Sequence, residues 1–411
     1  MKISEIIDLV GVKQRPDTSI PRALRRVFSI GDMAKLAHKK LPRSIVDYLD
    51  GGADDETSLA GNPQAFGGYR FTPAALNDVQ SVDLSASLLG EDYALPLGLA
   101  PTGYTRMMAA SGEGAVHSAA RAHNVPYVLS TMGTTSLEEL AIGRPTNPNL
   151  WFQLYVMRNR DITYDMVRRA AEVGSPVLEV AIDTAVSGNR LRDRRNGLSI
   201  PPRMTLGTIA DIGTKPAYWA QMLTQPALDF SNIRASDTKN SFAGGSIADI
   251  TAQFDPSVSW EDIAILRDLW PNKLVLKGTL GAADAARAVS LGVDGIHLSN
   301  HGGRQLDRSI APVHLIREVR EAVGNDVSII VDSGVRSGGD IAVCLALGAD
   351  AAFVGRPYLW ALAAAGQPGV ERMITILGDE LRRTLQLLGV VSIAELRERG
   401  HELVRSVGGP R

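Results

Sequence analysis

The sequence predicts a TIM (β/α)8 barrel with an N-terminal helical extension and a long insertion after the fourth strand. Three observations carry the prediction. Eight short apolar runs recur from about residue 95 onward, helical patterns fill the gaps between them, and nearly every run ends in a polar or charged residue. The runs are 95–101, 126–131, 149–155, 176–183, 273–278, 295–300, 327–333 and 351–356. They are near-continuously apolar, as strands covered on both faces should be. Helical patterns at 113–123, 136–141, 160–174, 259–270, 282–292, 313–324 and 337–349 supply the crossovers, and a long one at 368–388 follows the eighth run. A doubly wound parallel sheet is the competing architecture.

Upstream of the barrel, residues 1–94 read as an extension. Met1 to Pro21 is mixed and irregular in pattern. One helix is expected after Ser29 and a second from Pro42 to Gly51–Gly52, with proline and glycine as start and stop signals. Residues 95–390 form the expected barrel, inside a single functional unit spanning 1–411. The 184–272 segment is too long for an ordinary connection and is expected to act as a lid or an interaction segment. Tyr218, Trp219, Met222 and Leu223 are its candidate surface contacts.

Composition narrows the class. The 411 residues are 45% hydrophobic and 21% charged, with a formal net charge of -2. That is an ordinary globular balance without the basic field expected of a nucleic-acid-binding protein. Cys344 is the only cysteine, which excludes an intrachain disulfide and a cysteine-ligated zinc cluster. No uncharged stretch has the length of a membrane-spanning helix, and the charged N-terminus is unlike a secretory signal. The expectation is an intracellular enzyme.

In a barrel of this kind the active site lies at the C-terminal rim of the strands. The runs deliver to that rim Ala100-Pro101-Thr102-Gly103, Ser130, Gln153 with Tyr155, Asp183, Lys277, Ser299 with His301, Asp332-Ser333-Gly334, and Gly355-Arg356. Within SNHGGRQLD (299–307) two glycines permit a sharp turn that brings His301 and Arg304 toward one cavity. His301 can accept a proton near neutral pH, while Arg304 stays cationic. DSGVRSGGD (332–340) and GRP (355–357) offer glycine amides with Arg336 and Arg356, a phosphate-binding chemistry common after the last two strands of such barrels. Neither a P-loop nor a G-x-G-x-x-G fingerprint is present, which favours a mononucleotide-type cofactor.

With these motifs assembled, the chain resembles the FMN-dependent L-2-hydroxyacid dehydrogenases and oxidases, most closely the bacterial quinone-type L-lactate dehydrogenases. SNHGGRQLD is the most specific signature. DYLDGGADDE (47–56), LAPTG (99–103), WFQLY (151–155), GNRLRDRRNG (188–197), LVLKG (274–278) and VDSGVRSG (331–338) support it in family order. The resemblance implies that Tyr48 and Tyr155 hydrogen-bond a substrate whose carboxylate is clamped by Arg190 and Arg304. It makes His301 the base, oriented by Asp183, and places Lys277 at the flavin N1/O2 edge. Ser130, Gln153 and the backbone of Ala100, Pro101 and Thr102 would contact the ring, with Ser299 close by. Asp332, Ser333, Gly334, Arg336, Gly355 and Arg356 would hold ribityl and phosphate. It also implies oxidation of L-lactate or a related acid with a quinone acceptor rather than oxygen. The alternatives are an oxidase of glycolate, lactate or mandelate that produces hydrogen peroxide, and a catalytically impaired FMN-binding barrel. A homotetramer and a cytoplasmic location, peripheral to the inner face of the membrane, are implied as well.

Physical chemistry accommodates these roles. A hydroxy acid is an anion that two guanidiniums can orient, and its two-electron oxidation needs a base and an electron-pair acceptor. Reduced flavin gathers negative charge near N1, where a buried lysine is worth about 3 kcal/mol, roughly a hundredfold in rate. Two positions depart from the family pattern. Ala181 stands where a threonine is usual, and Met132 where glycolate oxidases carry an aromatic residue. Gly103 leaves room beside the flavin for a larger substrate side chain.

Overall fold

The computed structural model describes residues 20–143, 147–196, 213–224, 226, 228–236 and 253–407. The irregular stretch expected for the first 21 residues lies mostly outside the described residues, as does much of the 184–272 insertion.

Among the described residues there are twelve short strands, in chain order β1 (Tyr69–Phe71), β2 (Ala86–Leu88), β3 (Glu91–Tyr93), β4 (Leu97–Leu99), β5 (Tyr127–Ser130), β6 (Leu150–Leu154), β7 (Val177–Ala181), β8 (Lys273–Gly278), β9 (Gly295–Leu298), β10 (Ser328–Val331), β11 (Ala351–Val354) and β12 (Val404–Ser406). Strands β4 to β11 form one closed parallel barrel, each the core of one predicted run. Closure rests on β11 pairing with β4, Ala352 opposite Leu97 and Val354 opposite Leu99. That pairing excludes the doubly wound alternative.

The barrel strands are buried at almost every position because helices cover their outer face and side chains fill the inside. Val128, Trp151, Val177, Val275, Ile330 and Phe353 pack in the interior, and Leu88 and Tyr93 of the β2–β3 hairpin plug the end where the strands begin. The Trp151 indole donates to the Tyr93 hydroxyl at 3.2 Å, fixing the plug to the core. The opposite end is left open.

Among its described residues the extension carries three α-helices: α1 (Ile30–Lys40), α2 (Arg43–Asp50) and α3 (Thr57–Ala65). Ser29 caps α1 by accepting from the Asp32 amide at 3.2 Å. α3 was not apparent in the sequence. It clasps the 299–307 loop through a reciprocal amide pair, Asn62 with Asn300 at 2.8 and 2.6 Å, and through the Ser58 amide donating to Asp307 at 2.8 Å. Gly303 is required here: its φ is +75°, and a Cβ would sit 2.5 Å from the Leu59 amide nitrogen.

Within the insertion, α4 (Pro216–Leu223) is described, and the Trp260–Leu269 helix serves as the ordinary crossover between β7 and β8. After β11 the long helix expected at 368–388 is present, preceded by a second helix that was not expected. α5 (Arg356–Ala365) starts directly at the strand end, and α6 (Gln367–Leu388) follows. Gly366, whose φ of +63° is left-handed, separates the two, and Pro368 is the start signal of α6. Beyond α6 the chain folds back so that β12 pairs antiparallel with β1.

Candidate active site

The open end of the barrel holds a cleft of about 1210 Å³, open solvent at its entrance included. Its walls come from α2, from rim residues at or just after the ends of β4, β5, β6, β8, β9, β10 and β11, and from both ends of the insertion.

His301 follows β9 and has a φ of +58°, uncommon for a residue with a side chain. The turn is held because the His301 amide donates to Ser299 Oγ at 3.0 Å and the Gly302 amide to Ser333 Oγ at 3.0 Å. Such strain is typical of a site where the surrounding contacts dictate the backbone. Nδ1 of His301 lies 3.3 Å from Asp183, and Nε2 lies 3.4 Å from the Tyr155 hydroxyl. Burial would raise the Asp183 carboxyl, but the charge and hydrogen bond of His301, together with Lys277, hold it below the usual range. Asp183 therefore remains a carboxylate, favours a proton on Nδ1, and leaves Nε2 as the basic atom facing the cleft. Burial pushes the Tyr155 hydroxyl up, so it stays a neutral donor.

Arg304 donates to the Tyr48 and Gly51 carbonyls at 2.6 and 2.9 Å and lies over the Tyr48 ring at 4.9 Å. Arg356, the first residue of α5, donates to the carbonyls of Leu49, Gly51 and Gly302. Together the two arginines tie the end of α2, and so Tyr48, to the barrel mouth. Burial, then neighbouring guanidiniums, lower the pKa of both Arg304 and Arg356. Burial lowers Arg336 to about 10, and its guanidinium lies over the Trp360 ring. Arg190 also lines the cleft, and its Nε has no hydrogen-bond partner among the described residues. Four arginines converging on one cleft are donors suited to anionic ligands. Gly188 keeps this arrangement tight, since a Cβ there would sit 2.1 Å from the Arg304 carbonyl oxygen.

Deeper in the cleft, Lys277 donates to Ser299 Oγ at 2.7 Å and lies 3.3 Å from Asp332. Burial would lower the Lys277 ammonium, but Asp332, Asp183 and Glu179 reverse that and raise it. Burial would raise Asp332, and Lys277 with His297 drives it far below the carboxylate range instead. Ser333, with φ +70°, donates to Asp332 at 2.6 Å, and Gly334 follows with φ +111°. Ala100, Pro101, Thr102, Gly103 and Gly355 also line the cleft. Tyr358 supports them by bonding the Thr102 hydroxyl and donating to the Ala100 carbonyl.

Three expected contacts sit behind the lining. Ser130 donates to Gln153 Oε1 at 2.8 Å, and Ser299 is engaged with Lys277 and the His301 amide. Two groups were not singled out from the sequence. Phe254, at the return of the insertion, stacks on Tyr155 with ring centroids 4.5 Å apart. Glu179 and His297 form a buried pair below Asp332. Their signal was a charged residue inside each of two otherwise apolar runs, VLEVA and GIHL.

A closed barrel whose mouth joins a carboxylate-oriented histidine, a buried lysine and converging arginines defines an oxidoreductase site for a phosphorylated cofactor and an anionic substrate. Residues 37–403 match the family described as FMN-dependent dehydrogenase, and the chain belongs to that family. A Mycobacterium tuberculosis protein, whose L-lactate dehydrogenase name is itself an inference, is 42% identical over 99% of this chain and 97% of its own. (S)-mandelate dehydrogenase of Pseudomonas putida is 38% identical over 90% of this chain and 93% of its own. A crystal structure of monotopic membrane protein (S)-mandelate dehydrogenase superposes with a TM-score of 0.85 at 36% identity, covering 93% of this chain and all of the other.

FMN is thus the cofactor, and the residues present fit it. Gln153 Nε2 is buried without a partner among the described residues, beside the barrel mouth. The backbone at Gly355 is open, since a Cβ there would meet only Thr102 Cγ2 at 3.8 Å. Arg336 and Arg356 supply cationic donors on the same side.

Proposed function

We propose that this enzyme oxidises an L-2-hydroxy acid, L-lactate to pyruvate first among the candidates, and passes the electrons to a quinone rather than to oxygen. The observation that carries the reading is His301 set between Asp183 and Tyr155, in a cleft shared with Arg190, Arg304 and Lys277.

Arg190 and Arg304 would hold the substrate carboxylate, and Tyr48 and Tyr155 would orient its hydroxyl. His301 would take up a proton at Nε2, and Asp183 would stabilise the imidazolium that results. Bound FMN would supply the two-electron acceptor that the oxidation needs. Arg336 and Arg356 would hold its phosphate, Asp332, Ser333 and Gly334 its ribityl chain, and Lys277 would favour the reduced ring electrostatically. Gln153, with Ser130 behind it, would contact the ring beside the Ala100–Thr102 backbone. The whole chain is read as one catalytic unit, with the barrel at 95–390.

The test is the visible spectrum of the yellow protein before and after anaerobic addition of L-lactate, glycolate or (S)-mandelate. Bleaching by lactate at the lowest concentration supports the reading, and bleaching by none overturns it. A bulkier acid such as mandelate is the second reading, favoured by Gly103 at the cleft wall and by the mandelate dehydrogenase likeness.

A further proposal is peripheral attachment to the cytoplasmic face of the membrane. No helix among the described residues is long and apolar enough to cross a membrane. α4 offers the contact: Tyr218 anchors it by donating to the Met107 carbonyl at 2.8 Å, while Leu223 is 80% exposed. Liposome flotation of the full chain against a Leu223→Glu variant tests this, and light scattering tests the proposed tetramer.

A further inference from the structure

Beneath the cleft, a chain of buried charges runs through the barrel interior. Glu179 on β7 and His297 on β9 are both fully buried. Oε2 of Glu179 lies 2.7 Å from Nδ1 of His297, and Nε2 of the same ring lies 3.3 Å from Oδ2 of Asp332. Asp332 Oδ2 is in turn 3.3 Å from Lys277 Nζ, and Lys277 donates to Ser299, which also receives the His301 amide. Packing alone gives no reason for the pair. Its neighbours Leu178, Val180, Ile296 and Leu298 are fully buried aliphatics, and Phe353 meets the His297 ring edge-on at 5.3 Å. A buried ion pair is commonly no more stabilising than apolar side chains of the same volume.

Geometry fixes the charge order. Nδ1 of His297 is hydrogen-bonded to Glu179. Nε2, which has no hydrogen-bond partner among the described residues, lies within ion-pair distance of Asp332. A carboxylate thus stands beside each ring nitrogen, and the protonated ring is favoured. Glu179, His297, Asp332 and Lys277 then alternate in sign and sum to zero, which a dry interior tolerates far better than a net charge. Burial alone would make His297 less basic, but Glu179 and Asp332 raise it above its ordinary value.

We propose that Glu179 and His297 are positioning residues for the flavin: His297, held cationic by Glu179, shares the charge of Asp332 and so leaves more of the Lys277 charge directed at the cofactor. This rests on the reading above that Lys277 faces the flavin. Without the pair, Asp332 would be answered by Lys277 alone, and the ammonium would be drawn toward it. The positive potential at the ring would fall, and with it the preference for the reduced, anionic flavin.

The experiment is an anaerobic reductive titration of the FMN-loaded protein against a reference dye. Glu179→Gln keeps the shape but removes the carboxylate that holds His297 cationic. The Glu179→Leu/His297→Leu double variant replaces the pair with apolar side chains of similar bulk. Both are expected to stay yellow, with the reduced-to-oxidised ratio at a fixed potential lowered about tenfold, about 30 mV for a two-electron couple. Lys277→Met is the control. If it leaves the ratio unchanged, Lys277 does not face the flavin and the underlying reading falls. If Lys277→Met shifts the ratio but Glu179→Gln does not, the positioning role is overturned, because shape rather than charge is then what matters. Failure of both pair variants to fold, beside a stable wild type, overturns it too, since the pair would be structural.

Discussion

Nδ1 of His301 lies 3.3 Å from both carboxylate oxygens of Asp183, although the two residues stand 118 positions apart. The contact sets the ring's orientation and leaves Nε2 toward Tyr155 and the cleft. His301→Gln is therefore expected to retain FMN and lose flavin reduction by about 10²–10⁴-fold, the usual worth of a general base. Anaerobic stopped-flow bleaching with L-lactate measures it, and equal rates in variant and wild type would remove His301 from the role.

The same pair has a pH signature. The Asp183 carboxyl is lowered in the folded protein, so its contribution to stability is present above its unfolded value of about 4 and is lost only as pH falls through the depressed folded value. Asp183→Asn is expected to slow flavin reduction and to melt below wild type above about pH 4, with the difference closing as pH falls through the depressed value. Thermal melts from pH 3 to 7 on both proteins check the sign.

Gly188 and Arg304 make a second, purely steric prediction. A Cβ at 188 would lie 2.1 Å from the Arg304 carbonyl oxygen, so Gly188→Ala must push the insertion and the 299–307 loop apart. Arg190 and Arg304 would then no longer converge. The expected result is a substrate Kd raised about tenfold or more, with FMN binding unchanged, read by titrating flavin absorbance with a substrate analogue.

Arg356 ties the proposed phosphate end of the cofactor site to the extension. Its guanidinium donates to three backbone carbonyls, two of them at the end of α2. Arg356→Ala is expected to weaken FMN binding and also to loosen α2, costing about 2–4 kcal/mol from lost charge-assisted hydrogen bonds. Equilibrium dialysis of FMN and limited proteolysis near residue 43 would report the two effects, and Arg356→Lys should rescue little because it cannot reproduce the fork.

Why some of this was legible in the sequence and some not follows from the length scale of each signal. The barrel strands announce themselves locally, because a strand covered on both faces must be apolar throughout, and LVLKG or SIIV can be little else. His301, Arg304 and Lys277 were legible as polar breaks at the ends of such runs. Glu179 and His297 were not, because their partnership depends on which residues of β7 and β9 point inward across an intervening strand. The β1–β12 pairing joins residues more than 330 positions apart, with no local pattern to announce it. Gly366 was visible as a residue, but only its positive φ divides α5 from α6.

Phe254 carries the final prediction, on substrate choice. It reaches the cleft because Met157 and Phe254 form a β-bridge that returns the insertion to the barrel, and its ring then stacks on Tyr155. The ring is 7% exposed and walls the cleft on the side of Tyr155. Truncation to alanine removes about 3–5 kcal/mol of packing, so Phe254→Ala should melt several degrees lower. It should also enlarge the cleft beside the substrate side chain and free Tyr155 from its stack. Turnover of lactate is expected to fall, and the ratio of mandelate to lactate kcat/KM to rise about tenfold, within what one change of pocket volume supplies. Phe254→Leu, which keeps more of the bulk, should restore the melting temperature before it restores the lactate preference. Parallel assays on the two acids decide the matter: an unchanged ratio in Phe254→Ala would show that the insertion covers the cleft without shaping it.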